Sequence, residues 1–218
     1  MAQIFHPAMN TVARASIFGA IFFVAAVTWV AAQIYTSPYF TDVNVARDQP
    51  VPFSHEHHVN GLGIDCRYCH TSVEESKFAG IPPTHTCMTC HSQIWTNSAL
   101  LEPVRASFRD GTPIKWNRVH DLPDYTYFNH AVHVAKGIAC ATCHGPVNHM
   151  PLMWKHATLH MQWCLDCHRE PERYIRPREY VFEMEYKQPP NQLELGRKLV
   201  EDYHVNVGQL DNCAICHR

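Results

Sequence analysis

Five copies of the pentapeptide Cys-x-x-Cys-His, fifteen prolines in 218 residues and one uncharged apolar stretch near the N-terminus predict the fold class. The chain reads as a mostly irregular domain of short α-helices packed around covalently held cofactors, behind one N-terminal transmembrane helix. The pentapeptides are Cys66–His70, Cys87–His91, Cys140–His144, Cys164–His168 and Cys213–His217, and they use all ten cysteines. That spacing is the attachment site of a c-type haem, in which two thiols bond the vinyl groups and the adjacent histidine ligates the iron. Cys66, Cys69, Cys87, Cys90, Cys140, Cys143, Cys164, Cys167, Cys213 and Cys216 are therefore expected to hold five haems c. His70, His91, His144, His168 and His217 are the expected proximal ligands.

Zinc and disulfides explain the cysteines less well. Zinc ribbons bring two Cys-x-x-Cys pairs together, and five pairs leave one unpartnered. Neither alternative accounts for a histidine after every second cysteine, nor for 17 histidines in the chain. The formal charge of −2 gives no reason to expect nucleic acid as a partner. Beyond the apolar stretch, the chain offers roughly 35 residues per haem, too few for an ordinary core around each. The haem faces must then serve as the core, so the fold class is a multihaem cytochrome c, mostly irregular with short helices.

Membrane attachment is read from residues 15–36, with 1–14 as a cytoplasmic N-terminus and 37–218 as a periplasmic haem domain. No charged residue lies between Arg14 and Asp42. At about 1.5 Å per residue Ile17–Tyr35 spans roughly 28 Å, close to the hydrocarbon thickness. Trp29 and Tyr35 suit the outer interface, and Arg14 favours a cytoplasmic N-terminus. A cleaved signal peptide is the rival, because Val30-Ala31-Ala32 resembles a cleavage site. The expectation is an uncleaved signal-anchor in the inner (cytoplasmic) membrane.

An internal repeat organises the remainder. Phe53-x-His55-x-x-His58-Val59 precedes the first pentapeptide, and Phe128-x-His130-x-x-His133-Val134 precedes the third. A second pentapeptide follows in each half, so 53–91 and 128–168 read as two diheme modules. Residues 190–218 supply a helix and the fifth haem. Asn191-x-x-Glu194 resembles a capping box opening that helix through about His204. Proline pairs mark loops elsewhere, and strands are not evident.

Twelve histidines lie outside the pentapeptides and compete for the distal positions. His-x-x-His spacing puts two imidazoles on one helical face, where they can serve two haems. His55, His58, His130 and His133 are thus the first candidates. His120 and Met161 compete for the fifth position, and the choice matters because Met/His ligation raises the potential relative to paired histidines. His85, His156, His160 and His204 rank lower. His57 is expected beside a ligand, and His6 falls on the opposite side of the membrane.

Phe-x-His-x-x-His followed by Cys-x-x-Cys-His resembles the class III cytochromes of the c3/c7 type. The longer strings FSHEHHVNGLGIDCRYCHTSVEESKFAGIPPTHTCMTCH, WNRVHDLPDYTYFNHAVHVAKGIACATCHG and HMQWCLDCHREPERYIRP go further. They are similar to the pentahaem membrane-anchored subunit of alternative complex III, from about Pro52 to the C-terminus. The resemblance implies a relay of electrons from a quinol-oxidising partner to a periplasmic acceptor. It also implies iron–sulfur and multi-span quinol-binding subunits as partners, with a monohaem cytochrome or another periplasmic protein as acceptor. By the same resemblance His55, His58, His120, His130, and His133 or Met161 match the positions expected to ligate iron.

No catalytic residues of the chain's own are expected, since all five pentapeptides end in histidine and distal candidates outnumber haems. Two other functions stay open: the cytochrome subunit of another quinone-linked complex, and a multihaem reductase of a small oxyanion such as nitrite.

Overall fold

A computed structural model describes residues 4–217, which divide into two compact units between Asp42 and Val43. The first unit is built on helix α1 (Ala8–Thr36), followed by the short α2 (Pro38–Thr41). α1 is long and apolar enough to cross a membrane. Three of its hydroxyl side chains turn back on its own backbone, among them Ser16, which donates to the Ala13 carbonyl at 3.0 Å, and Thr36, which donates to that of Ala32 at 2.9 Å. Such back-bonding satisfies hydroxyls that lipid would leave unpaired. Ser37 is extended ahead of Pro38, the conformation that proline imposes on its predecessor, and α1 stops there.

Among the described residues the second unit holds eight short α-helices. They are α3 (Cys66–Cys69), α4 (Thr84–His91), α5 (Glu102–Asp110), α6 (His130–Ala135), α7 (Cys140–His144), α8 (Met161–Arg169), α9 (Gln192–Asp202) and α10 (Cys213–Cys216). A π-helical turn covers Glu56–Gly61. Among the described residues extended structure is limited to isolated bridges, such as Thr126 with His217. Each pentapeptide therefore lies on a helical turn of its own, which sets its two thiols at i and i+3 on one face.

The apolar interior is small. In this unit the buried apolar side chains among the described residues are Val51, Val73, Val104, Ala139, Met150, Ile175, Val181 and Leu199. Large apolar groups such as Phe78, Ile81, Ile94, Trp95 and Leu100 stand exposed. So sparse an interior is small for a unit of this size, which matches the expectation that flat apolar cofactor faces complete the core.

Conventional packing is clearest around α9. Its second turn presses on the Pro171–Arg173 turn, and Gln192 donates from Nε2 to the carbonyls of Glu172 at 3.0 Å and Ile175 at 2.8 Å. Gly196 is buried there, and a methyl group at its Cα would overlap the backbone carbonyl of Glu172. Alanine in place of a mid-helix glycine gains up to about 1 kcal/mol in helix propensity. Collision with rigid backbone costs more, so Gly196→Ala is expected to destabilise by about 2 kcal/mol net, read as a fall of about 4–8 °C in thermal midpoint.

The helix begins where the sequence places it, but the capping box does not close. Asn191 sits at φ −97°, ψ 32° and makes no side-chain cap bond. A cap side chain reaches the first turn from extended backbone, which Asn191 does not adopt.

Candidate haem-binding sites

The two Phe-x-His-x-x-His segments build the same object twice. Phe53 stacks on His58 at 4.4 Å and 23° and meets His55 edge-on at 4.9 Å and 86°. Phe128 stacks on His133 at 4.4 Å and 28° and meets His130 edge-on at 4.8 Å and 88°. In both copies the second histidine donates from Nδ1 to the carbonyl four residues back: His58 to Ser54 at 2.8 Å, His133 to Asn129 at 2.7 Å. The phenylalanine thus fixes the planes of both rings, and the backbone fixes which nitrogen of the second carries the proton. His55 opens the π-helical turn, whereas His130 opens α6.

Each module then faces pentapeptide histidines. His58 lies 6.3 Å from His91 between ring centroids, His130 lies 6.3 Å from His144, and His133 lies 6.2 Å from His168. Two imidazole–metal bonds of about 2 Å in line, plus half a ring at either end, give roughly 6 Å. These spacings fit one metal ion between each pair of rings. Burial pushes His55 down to about 4, and repulsion from His70 and His58 adds to it.

The hydrogen bonds fit the same reading. His70 donates from Nδ1 to the Gly80 carbonyl at 2.7 Å, His91 to Ile94 at 3.3 Å, His168 to Leu210 at 2.8 Å and His217 to Tyr125 at 3.2 Å. A proton held at Nδ1 leaves the Nε2 lone pair for a metal, the usual outer-shell arrangement of a ligating imidazole. His144 is held down to about 3, first by burial and then by repulsion from His120 and His130. Gly145, which follows it, has φ +70°, and a side chain there would strike the His156 ring.

None of the ten cysteines is in a disulfide. Burial pushes Cys140 up to about 11, Cys143 to about 12 and Cys167 to about 11. Among the described residues no group of three or more His, Cys, Asp and Glu side chains converges on a metal position.

The two candidates for the fifth position lie apart. His120 packs edge-on against His144 at 4.3 Å, with Nε2 buried and unpartnered. Met161 is exposed at the start of α8, one turn before Cys164. The ring beside His217 is that of Tyr125, at 5.8 Å. His57 stacks on Trp95 at 6.1 Å and 20°, and Trp95 in turn approaches His91 at 6.4 Å. Of the remaining histidines, His85 meets Phe108, and His149 pairs with Glu185 at 3.0 Å.

Sequence reasoning assigned no role to the phenylalanines or to the caps. Asp65, Asn129 and Asn212 are in extended backbone and accept from the amides of Arg67, Val132 and Ala214, opening α3, α6 and α10. An Asp or Asn immediately before the first helical residue was the legible signal. Arg67 grips the Asp65 carboxylate through Nε at 2.9 Å and Nη2 at 2.8 Å, and its hydrogen bond holds that carboxyl below the usual range. A depressed carboxyl stabilises the fold above its unfolded pKa and loses that effect as pH falls through the folded one. Asp65→Ala is expected to cost about 1 kcal/mol at neutral pH in denaturant titrations, with Asp65→Asn recovering the cap but not the acid dependence.

Comparison with known proteins agrees with this chemistry. Residues 126–218 match the family model "Cytochrome c7 and related cytochrome c". The chain is also 37% identical over 103 residues to the "menaquinone reductase, multiheme cytochrome c subunit" of Nitratidesulfovibrio vulgaris. That match covers 45% of this chain and 46% of the relative, so the chain spans about half the length of the curated relative it matches. Residues 126–218 are thus similar to c7-like cytochromes, a family that holds haem c covalently; the second unit is mostly helical and irregular, and the N-terminal helix is a candidate membrane span.

Proposed function

We propose that this chain is a membrane-anchored five-haem electron relay, the cytochrome subunit of a quinone-linked complex of the alternative complex III kind. The observation that carries the reading is the spacing of His58 from His91, His130 from His144 and His133 from His168, all 6.2–6.3 Å. Distal imidazoles on three positions match an electron carrier better than a reductase, which keeps an iron face open for substrate. Bound haem supplies one-electron redox chemistry at each pentapeptide.

The chain's own residues do the rest. Ten thiols would anchor the cofactors, and His70, His91, His144, His168 and His217 would each ligate an iron. His55, His58, His130 and His133 would supply second ligands, their rings held by Phe53 and Phe128. His120, whose buried Nε2 has no partner, and Met161, exposed at the start of α8, are the two candidates for the fifth distal position. α1 anchors the haem domain on the periplasmic side of the inner membrane. A single helix offers too little surface for a quinol pocket, so iron–sulfur and multi-span subunits provide it, and a periplasmic cytochrome accepts the electrons.

The relative's name favours a second reading, in which electrons run from periplasmic donors into menaquinone. Affinity purification from native membranes separates the two. Quinol-dependent reduction of the haems, with iron–sulfur and multi-span partners recovered, supports the first. Haem oxidation by added menaquinone analogue, with no quinol-driven reduction, supports the second.

A further inference from the structure

We infer that the five haem sites form one unbranched line in the order 87–91, 66–70, 140–144, 164–168, 213–217, with electron exchange at its two ends. The order differs from that of the sequence, because the first two sites are exchanged. It rests on the ligand reading above and on contacts that join each successive pair.

The 87–91 and 66–70 sites share the turn that carries His55 and His58, and Tyr68 lies 2.9 Å from Thr89 between their hydroxyls. Two sets of contacts tie the 66–70 site to the 140–144 site. His130, which faces His144, donates from Nδ1 to the Lys77 carbonyl at 2.8 Å, and the Ala131 amide donates to Ser76 at 3.1 Å. Arg67 stands 4.6 Å over the Phe182 ring, while Cys140 donates its amide to neighbouring Val181 at 3.3 Å. The 140–144 and 164–168 sites share α6 through His130 and His133. His168 donates to Leu210, three residues before the last pentapeptide, and so joins the 164–168 site to the 213–217 site.

Exposure marks the same two ends. Of the ten cysteines only Cys90 and Cys213 are exposed; the other eight are partly covered. They belong to the 87–91 and 213–217 sites, which the contacts place last in the line at either side. A chain folded as a branched or ring-like cluster would have no reason to confine exposure to those two motifs.

The test exploits repulsion between neighbouring reduced sites, which makes their titrations interdependent. His130→Met and His58→Met are each made in the full haem-loaded chain, and every haem's midpoint is followed by NMR of its assigned methyl resonances. Each methionine raises the midpoint of its own site, and a variant that raises none overturns the ligand reading rather than the order. With the site raised, His130→Met is expected to lower two further midpoints, those of the 66–70 and 164–168 sites. His58→Met is expected to lower one, that of the 66–70 site. If His130→Met moves the 87–91 or 213–217 midpoint most, or if His58→Met moves two or more other midpoints equally, the linear order is wrong.

Discussion

Phe128→Ala is expected to disturb two haem sites with one substitution. The ring lies flat on His133 and edge-on to His130, so its removal frees both imidazoles to leave their planes. Loss of a packed phenylalanine costs about 3 kcal/mol, which in a chain of this size lowers the thermal midpoint by about 6–12 °C. The spectroscopic effect is the more specific one. Two low-spin signals, those of the 140–144 and 164–168 sites, should broaden or shift while the remaining signals stay. Phe128→Leu should recover most of the stability and little of the spectral order, since it restores volume without the flat contact. Phe53→Ala should act in the same way on the 66–70 and 87–91 sites. A Phe128→Ala protein with unchanged spectra would show that the phenylalanine is only filler.

The second large effect concerns location. Removing residues 4–36 deletes α1, the one helix among the described residues long and apolar enough to cross a bilayer. With a separate cleavable export signal supplied, the shortened chain should move from almost wholly membrane-bound to almost wholly soluble, as judged by fractionation. Its haem content per chain should not fall, because α1 belongs to a different compact unit from the pentapeptides. Retention in the membrane after the deletion would mean that the haem domain itself holds to the membrane or to membrane partners.

Much of the local architecture was legible in the sequence, and much of the long-range arrangement was not. The pentapeptides and the His-x-x-His pairs are local patterns, and each folds as its spacing suggests. The modules use different turns, π-helical over Glu56–Gly61 and α-helical in α6, and the first carries one more residue between its histidine pair and its pentapeptide. Capping depends on backbone angles that composition does not fix. Asp65 and Asn212, in extended backbone, cap their helices, while Asn191 at ψ 32° does not. The pairing of histidines was the least legible feature, because it is set by the packing of segments far apart in the chain. His58 faces His91 rather than the pentapeptide nearer in sequence, and His120 sits on His144.

The most direct test of a relay with every iron closed by two protein ligands is low-temperature electron paramagnetic resonance of the oxidised, purified chain. Such a relay predicts low-spin signals alone, integrating to five spins per polypeptide after correction for coupling between sites. A high-spin signal amounting to one haem per chain, shifting on addition of nitrite, would contradict it and make the protein a reductase.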